Sequence, residues 1–223
     1  MVLSLVEGET IARKILRDPE FEVARRDLPG QLGRALAQLH SVPVEQVPGL
    51  QEQDQLRMFR TILDASGEPH PAFELAFKWL HEHRPSSGTP RIVHGDFRLG
   101  NLMIGPEGLR AVLDWELAHV GDPMEDLGWL CVRAWRFGSS LPVAGVGEYQ
   151  QLFDAYAEAS GTDVDPDVVR WWEVLGTLKW GIMCIGQAQA HLSGAARSHE
   201  LAAIGRRVCE NEYDLFLALE GRW

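Results

Sequence analysis

Lysine occurs only at Lys14, Lys78 and Lys179, and the chain carries 21 basic residues against 32 acidic ones. The formal net charge of −11 favours solubility and repels phosphate polyanions, so a nucleic-acid partner is not expected. No run of about eighteen apolar residues is present, so neither a transmembrane helix nor a membrane partner is expected. The N-terminus, MVLSLVEGETIARK, lacks the basic head and long apolar core of a secretory signal. Cysteine is scarce as well: Cys131, Cys184 and Cys209 are odd in number and far apart, which excludes a disulfide framework and paired-cysteine zinc sites. Each lies in an apolar helical context and reads as a buried free thiol of a reducing cytoplasm. No repeat or low-complexity tract occurs. At 223 residues and 45% hydrophobic, the chain can bury a substantial core, and one domain over 1–223 is expected.

What is present concentrates in residues 91–126, RIVHGDFRLGNLMIGPEGLRAVLDWELAHVGDPMED. An apolar lead-in at Ile92 and Val93 runs into His94-Gly95-Asp96, and Asn101 follows Asp96 by five positions. Leu102 to Ile104 reads as a strand, Gly105 to Gly108 as a turn, and Leu109 to Leu113 as a returning strand that ends at Asp114. This hairpin can gather Asp96, Asn101 and Asp114 in one small volume. Such a set of oxygens suits a hard cation like Mg²⁺ that also keeps waters and phosphate oxygens. Phosphoryl transfer needs these parts: a carboxylate for the proton of the attacking hydroxyl, and an amide and a second carboxylate for the metal.

The spacing H-x-D-x-x-x-x-N is that of the kinase catalytic loop, with Asp114 in the place of the metal-binding Asp of D-F-G. Gly95 and Asp114-Trp115-Glu116 depart from the protein-kinase pattern. HGDFRLGNLM followed by LDWE and GDPMEDL resembles the aminoglycoside phosphotransferase and choline kinase-like family, in particular bacterial members similar to the kinase domain fused to acyl-CoA dehydrogenases. The rival readings are a plain polar loop with turn-forming Asp and Asn, and a metallophosphoesterase. In the latter an Asn such as Asn101 is normally followed by His, whereas Leu102 follows here.

The resemblance covers nearly the whole chain, and it implies a mostly helical α+β C-terminal lobe of the kinase-like fold with short β-hairpins. It implies Asp96 as catalytic base, Asn101 and Asp114 as metal ligands, and His94 and Asp126 as residues that shape the loop. Arg98 and Glu116 become candidates for substrate contact or support of the metal. A hinge strand over about 1–7 would offer backbone groups near Ser4 and Leu5 to adenine. Mg²⁺ with ATP and a small hydroxylated acceptor are the implied cofactor and partners. Aminoglycoside, choline-like amine, sugar and hydroxyacyl thioester acceptors are not separated by these motifs. In the family a sheet-rich lobe with a phosphate-covering loop and a strand lysine precedes the hinge. Only three residues precede Ser4, and the N-terminal lobe is expected to be absent. A polypeptide without it is expected to be poorly active and to self-associate or to need a second chain. A non-catalytic binding module is the alternative of a different class.

Elsewhere the spacing of Leu28, Leu32, Leu36 and Leu39 predicts a helix over 28–40, with Pro29 near its start and His40 at its end. Helices are also expected over 55–65, 73–82, from Asp126 to about Trp135, 149–160, 170–192 and 199–219. Val2 to Val6 reads as a strand, and Phe137 to Gly147 as a loop.

Overall fold

A computed structural model describes residues 5–86 and 88–222. They fall into two compact units, one drawn from Met1–Glu52 and Ser87–Val169, the other from Gln53–Ser86 and Arg170–Trp223. The architecture is α+β and predominantly helical, as expected.

The first unit is built around α2 (Glu22–His40), which follows the short α1 (Ala12–Arg17). Ala24, Leu28, Leu32 and Leu36 recur every four residues on one face and are fully buried. The helix therefore starts earlier than the leucines alone suggest, because Ala24 extends their stripe by a turn. Pro29 lies inside it. An internal proline costs a helix about 3 kcal/mol. Here its ring is packed so closely that a Cβ on Gly147 would come within 2.2 Å of it. Along α2 runs α6 (Tyr149–Ser160). The two meet at Gly33, where a Cβ would sit 2.6 Å from the Leu152 carbonyl oxygen, so only glycine permits this approach.

Two antiparallel strand pairs complete the unit. In one, β1 (Arg91–Val93) pairs with β4 (His119–Gly121), Ile92 opposite Val120. The other is the expected hairpin of β2 (Leu102–Gly105) and β3 (Gly108–Val112), with a bulge between Met103 and Ile104. Gln31 of α2 holds its turn, donating to the Glu107 carbonyl at 3.0 Å and accepting the Leu109 N–H at 2.7 Å. The strand expected over Val2–Val6 is absent from its described part: Leu5 and Val6 are exposed, and edge pairing comes only at Glu9, against Ile104. Residues 2–4 lie outside the described residues. After β4, α5 (Met124–Cys131) stops short of Trp135, because Val132 takes extended backbone before a 3₁₀ turn. The 137–147 loop buries Val143 and Ala144 completely.

The second unit contains α3 (Gln55–Ser66), α4 (Pro71–Glu82), α7 (Pro166–Leu192) from residue 170 onward, α8 (His199–Gly205) and α9 (Val208–Leu219). Phe73, Leu80, Val174, Leu178 and Leu215 form the centre of its core. The Trp171 indole N–H donates to the Leu80 carbonyl at 2.9 Å. The single helix expected over 199–219 is interrupted. The N–H groups of Arg206 and Arg207 reach back only three residues, to Ala203 and Ile204, next to the weak helix former Gly205. Cys131 and Cys184 are buried as expected, and burial pushes the Cys184 thiol up to about 12. Cys209 is exposed instead, because it falls on the open face of α9. No helix among the described residues is long and apolar enough to cross a membrane.

Candidate active site

β1 delivers the chain into the loop from His94 to Asn101. Gly95 there has φ +77°, and a Cβ on it would lie 2.5 Å from the Leu117 carbonyl oxygen. Both facts demand glycine, which accounts physically for the middle residue of His-Gly-Asp. Gly95→Ala is expected to cost about 2–4 kcal/mol from backbone strain and steric clash. Its denaturant midpoint measures this, and an unchanged midpoint would contradict the geometry.

The loop is pinned from below by Asp126, in the first turn of α5 and wholly buried. Its Oδ2 accepts the His94 N–H at 2.7 Å and its Oδ1 the Gly95 N–H at 2.9 Å. His40, at the end of α2, brings Nε2 to 3.2 Å from Oδ2. Burial alone would raise the Asp126 pKa, but the hydrogen bond from His40, with those from the two backbone N–H groups, holds it below the usual carboxylate range. The other ring nitrogen of His40 meets the Tyr156 hydroxyl at 2.9 Å. Burial first, then the negative charges of Asp126 and Asp122, pushes that phenol up to about 12, so it stays protonated and can donate. These partners assign the proton that faces Asp126 to His40 Nε2.

Asp96 is 8% exposed and its carboxylate is nearly saturated. Oδ1 accepts from the Trp129 indole N–H at 2.8 Å and from Arg98 Nε at 3.1 Å. Oδ2 accepts from Asn101 Nδ2 at 2.6 Å, and the same amide also donates to the Asp96 carbonyl at 2.9 Å. The Arg98 guanidinium lies 4.9 Å from the Trp135 ring centre. His94 Nδ1 accepts the Asp96 N–H at 3.2 Å, which leaves Nε2–H to donate to the Leu113 carbonyl at 2.9 Å. The Leu113 N–H in turn donates to the Asn101 carbonyl at 2.8 Å.

Leu113 is thus tied to both ends of the loop, and Asp114 follows it directly. Asp114 is exposed, in left-handed backbone (φ 64°, ψ 66°), before the 3₁₀ turn Trp115–Leu117. It occupies the N-cap position yet makes no cap bond, so its carboxylate is not committed to the turn. Hydrogen bonds therefore connect His94, Asp96, Arg98, Asn101 and Asp126, and Asp114 adjoins them through Leu113. Glu116 is exposed on the following turn, Leu5 is 89% exposed, and Ser4 lies outside the described residues. Sequence reasoning missed Trp129 and Tyr156 and took His40 only as a helix end. The signal for Trp129 was its place three residues after Asp126, on the same helix face.

Asn101, with its amide nitrogen engaged, and Asp114 offer oxygen donors only. Among the described residues no cluster of three or more His, Cys, Asp or Glu could hold a metal. Such a sparse oxygen set fits Mg²⁺, which relies on waters and substrate phosphates, and does not fit a zinc site.

A family model described as the phosphotransferase enzyme family matches residues 1–172. The chain belongs to that family. It is 34% identical over 140 residues to acyl-CoA dehydrogenase family member 10 of Mus musculus, an alignment covering 56% of this chain and 13% of the relative. Against acyl-CoA dehydrogenase family member 11 of Gallus gallus it is 28% identical over 232 residues, covering 91% of this chain and 30% of the relative. The chain thus spans less than a third of the length of either relative. Among solved structures, a Ralstonia eutropha protein assigned as an aminoglycoside phosphotransferase superposes with a TM-score of 0.76 at 23% identity. That match covers 97% of this chain and 71% of the other, and it establishes the kinase-like fold. The family read from HGDFRLGNLM and GDPMEDL is the one found.

Proposed function

We propose that this phosphotransferase moves the γ-phosphoryl group of ATP to a hydroxyl of a small molecule, with Asp96 as the base. The observation that supports it is the fixing of Asp96 by Trp129, Arg98 and Asn101. Both lone pairs of Oδ1 are taken, and Oδ2 keeps one free. In the step, the acceptor oxygen forms a bond to the γ-phosphorus, the bond from that phosphorus to the β,γ-bridging oxygen breaks, and ADP leaves. The acceptor proton passes to Asp96 Oδ2. Asn101 and Asp114 would hold Mg²⁺, which supplies charge neutralisation on the phosphates. His94 keeps Leu113, and so Asp114, against the loop. Arg98 is within reach of a phosphate that competes for its guanidinium. The buried free thiols at Cys131 and Cys184 suit a cytoplasmic setting.

Lys14, Lys78 and Lys179 all lie in helices, so no strand lysine among these residues pairs with phosphate. Turnover by these 223 residues is therefore expected to be slow. The test is incubation with Mg-ATP and a panel of hydroxyl compounds, with phosphorylated product read by mass spectrometry. Product should form below the ordinary kinase range of about 1–100 s⁻¹. Absence of both ATP binding and ATP turnover at millimolar nucleotide would overturn the reading.

Magnesium should bind weakly without nucleotide, because two protein oxygens leave most of its shell to water. Calorimetric titration checks this. Tight, nucleotide-independent binding of Mg²⁺ would count against the ligand assignment, and tight Zn²⁺ binding lost on changing His94 would favour a phosphoesterase.

A further inference from the structure

Helix α5 touches the catalytic loop twice. Asp126 holds the backbone of His94 and Gly95, and one turn later Trp129 holds the side chain of Asp96. Trp129 is 1% exposed, and its ring lies 5.2 Å from that of Trp135. Its indole N–H meets Asp96 Oδ1 at 2.8 Å. Tryptophan is donor-only at this atom and cannot take a proton from the carboxylate. A rigid ring in a packed site also holds its N–H without the rotamer freedom of a lysine or serine.

From this geometry we infer that Trp129 is a positioning residue for phosphoryl transfer, orienting Asp96 so that Oδ2, and not Oδ1, receives the acceptor proton. This rests on the assignment of Asp96 as base. Arg98 is the other donor to Oδ1, but it is partly exposed, at 29% of its side chain. An entering phosphate can draw it away, whereas the indole cannot leave. Trp129 is then the donor that keeps the carboxylate from rotating about its Cβ–Cγ bond while substrate is bound. Asp126 and Trp129, three apart on one face, make α5 a two-point clamp: one point sets the height of the loop and the other the rotation of the base.

The first measurement needs no turnover. In a ¹⁵N-edited proton spectrum of the 223-residue chain, the Trp129 indole N–H is assigned by sequential connectivity among the eight tryptophans. In Asp96→Ala it should move upfield and exchange with solvent faster, while the other indole signals hold their positions. An indole N–H indifferent to Asp96→Ala overturns the inference.

The second measurement is kinetic, on Mg-ATP turnover. Trp129→Phe keeps the six-membered ring and removes the donor. It should lower kcat about ten- to a hundredfold, the worth of one hydrogen bond to a charged group, with KM for ATP within about twofold. In an Asp96→Asn background, Trp129→Phe should change turnover by less than about twofold, because the group it positions is gone. Equal losses in both backgrounds, or a kcat within twofold of wild type, would overturn the positioning role. If Asp96→Asn itself keeps wild-type turnover, the base assignment fails, and the positioning inference falls with it. If Asp96→Asn is inactive and Trp129→Phe is unimpaired, the base assignment stands and the clamp alone is wrong.

Discussion

Asp96→Asn is expected to lower phosphoryl transfer by about 10²–10⁴-fold, the usual contribution of a positioned base. The amide matches the carboxylate in shape, so the fold should survive. Its orientation is dictated: Trp129 and Arg98 both donate toward Oδ1, so the amide oxygen must take that side. The new NH₂ group then faces Asn101 Nδ2, donor against donor, across the present 2.6 Å contact. Asn101 must turn, which removes the oxygen offered to the cation. The substitution should therefore raise the Mg²⁺ requirement as well as lower kcat. Turnover and its Mg²⁺ dependence, measured beside a melting curve, check both effects. Wild-type turnover in a folded variant would refute the role given to Asp96.

The second large effect falls on stability. Asp126→Ala leaves the N–H groups of His94 and Gly95, and the proton on His40 Nε2, without their acceptor in a fully buried site. Leaving three buried donors without their acceptor in this way costs about 3–5 kcal/mol. The pH dependence has a definite sign. The folded Asp126 pKa lies below its unfolded value, so the stabilisation is complete above an unfolded carboxylate pKa of about 3.9 and is lost as pH falls through the folded one. Urea unfolding of wild type and variant should differ by the full amount at pH 7, and by progressively less below about pH 4. A difference under 1 kcal/mol at pH 7 would mean that the hydrogen bonds to Asp126 contribute little.

The hairpin and its loop were legible because they are local. Asp96, Asn101 and Asp114 lie within twenty residues, and Gly105 to Gly108 fixes which strands pair. The partners of Asp126 came only through the family resemblance, since Asp before an apolar run reads equally as a helix cap. Interactions between distant segments left no periodic trace. Tyr156 meets His40 across 116 residues, and Trp129 reaches Asp96 across 33. The indole of Trp129 reads as core in any apolar helix, because packing and hydrogen bonding use the same residue. Helix ends failed for similar reasons: Ala24 has too little apolar surface to mark a stripe, and the break at Arg206 is set by Gly205 against Ala188. The division into two compact units was not visible either, because 53–86 is sequentially remote from the helices whose core it joins.

Asp114 stands apart from its neighbours in one respect. A non-glycine residue at φ 64° carries a backbone penalty of about 1 kcal/mol, and its side chain makes no cap bond in return. Asp114→Gly would remove that penalty and add a comparable entropic cost in the unfolded chain. The fold is close to indifferent to losing this carboxylate, whereas it is intolerant of change at Gly95 and Asp126. Heat resistance is consequently a blind criterion at position 114. A screen that selects variants by survival at high temperature would pass Asp114→Gly as sound. Only stabilisation by added Mg-ATP would separate it from the parent.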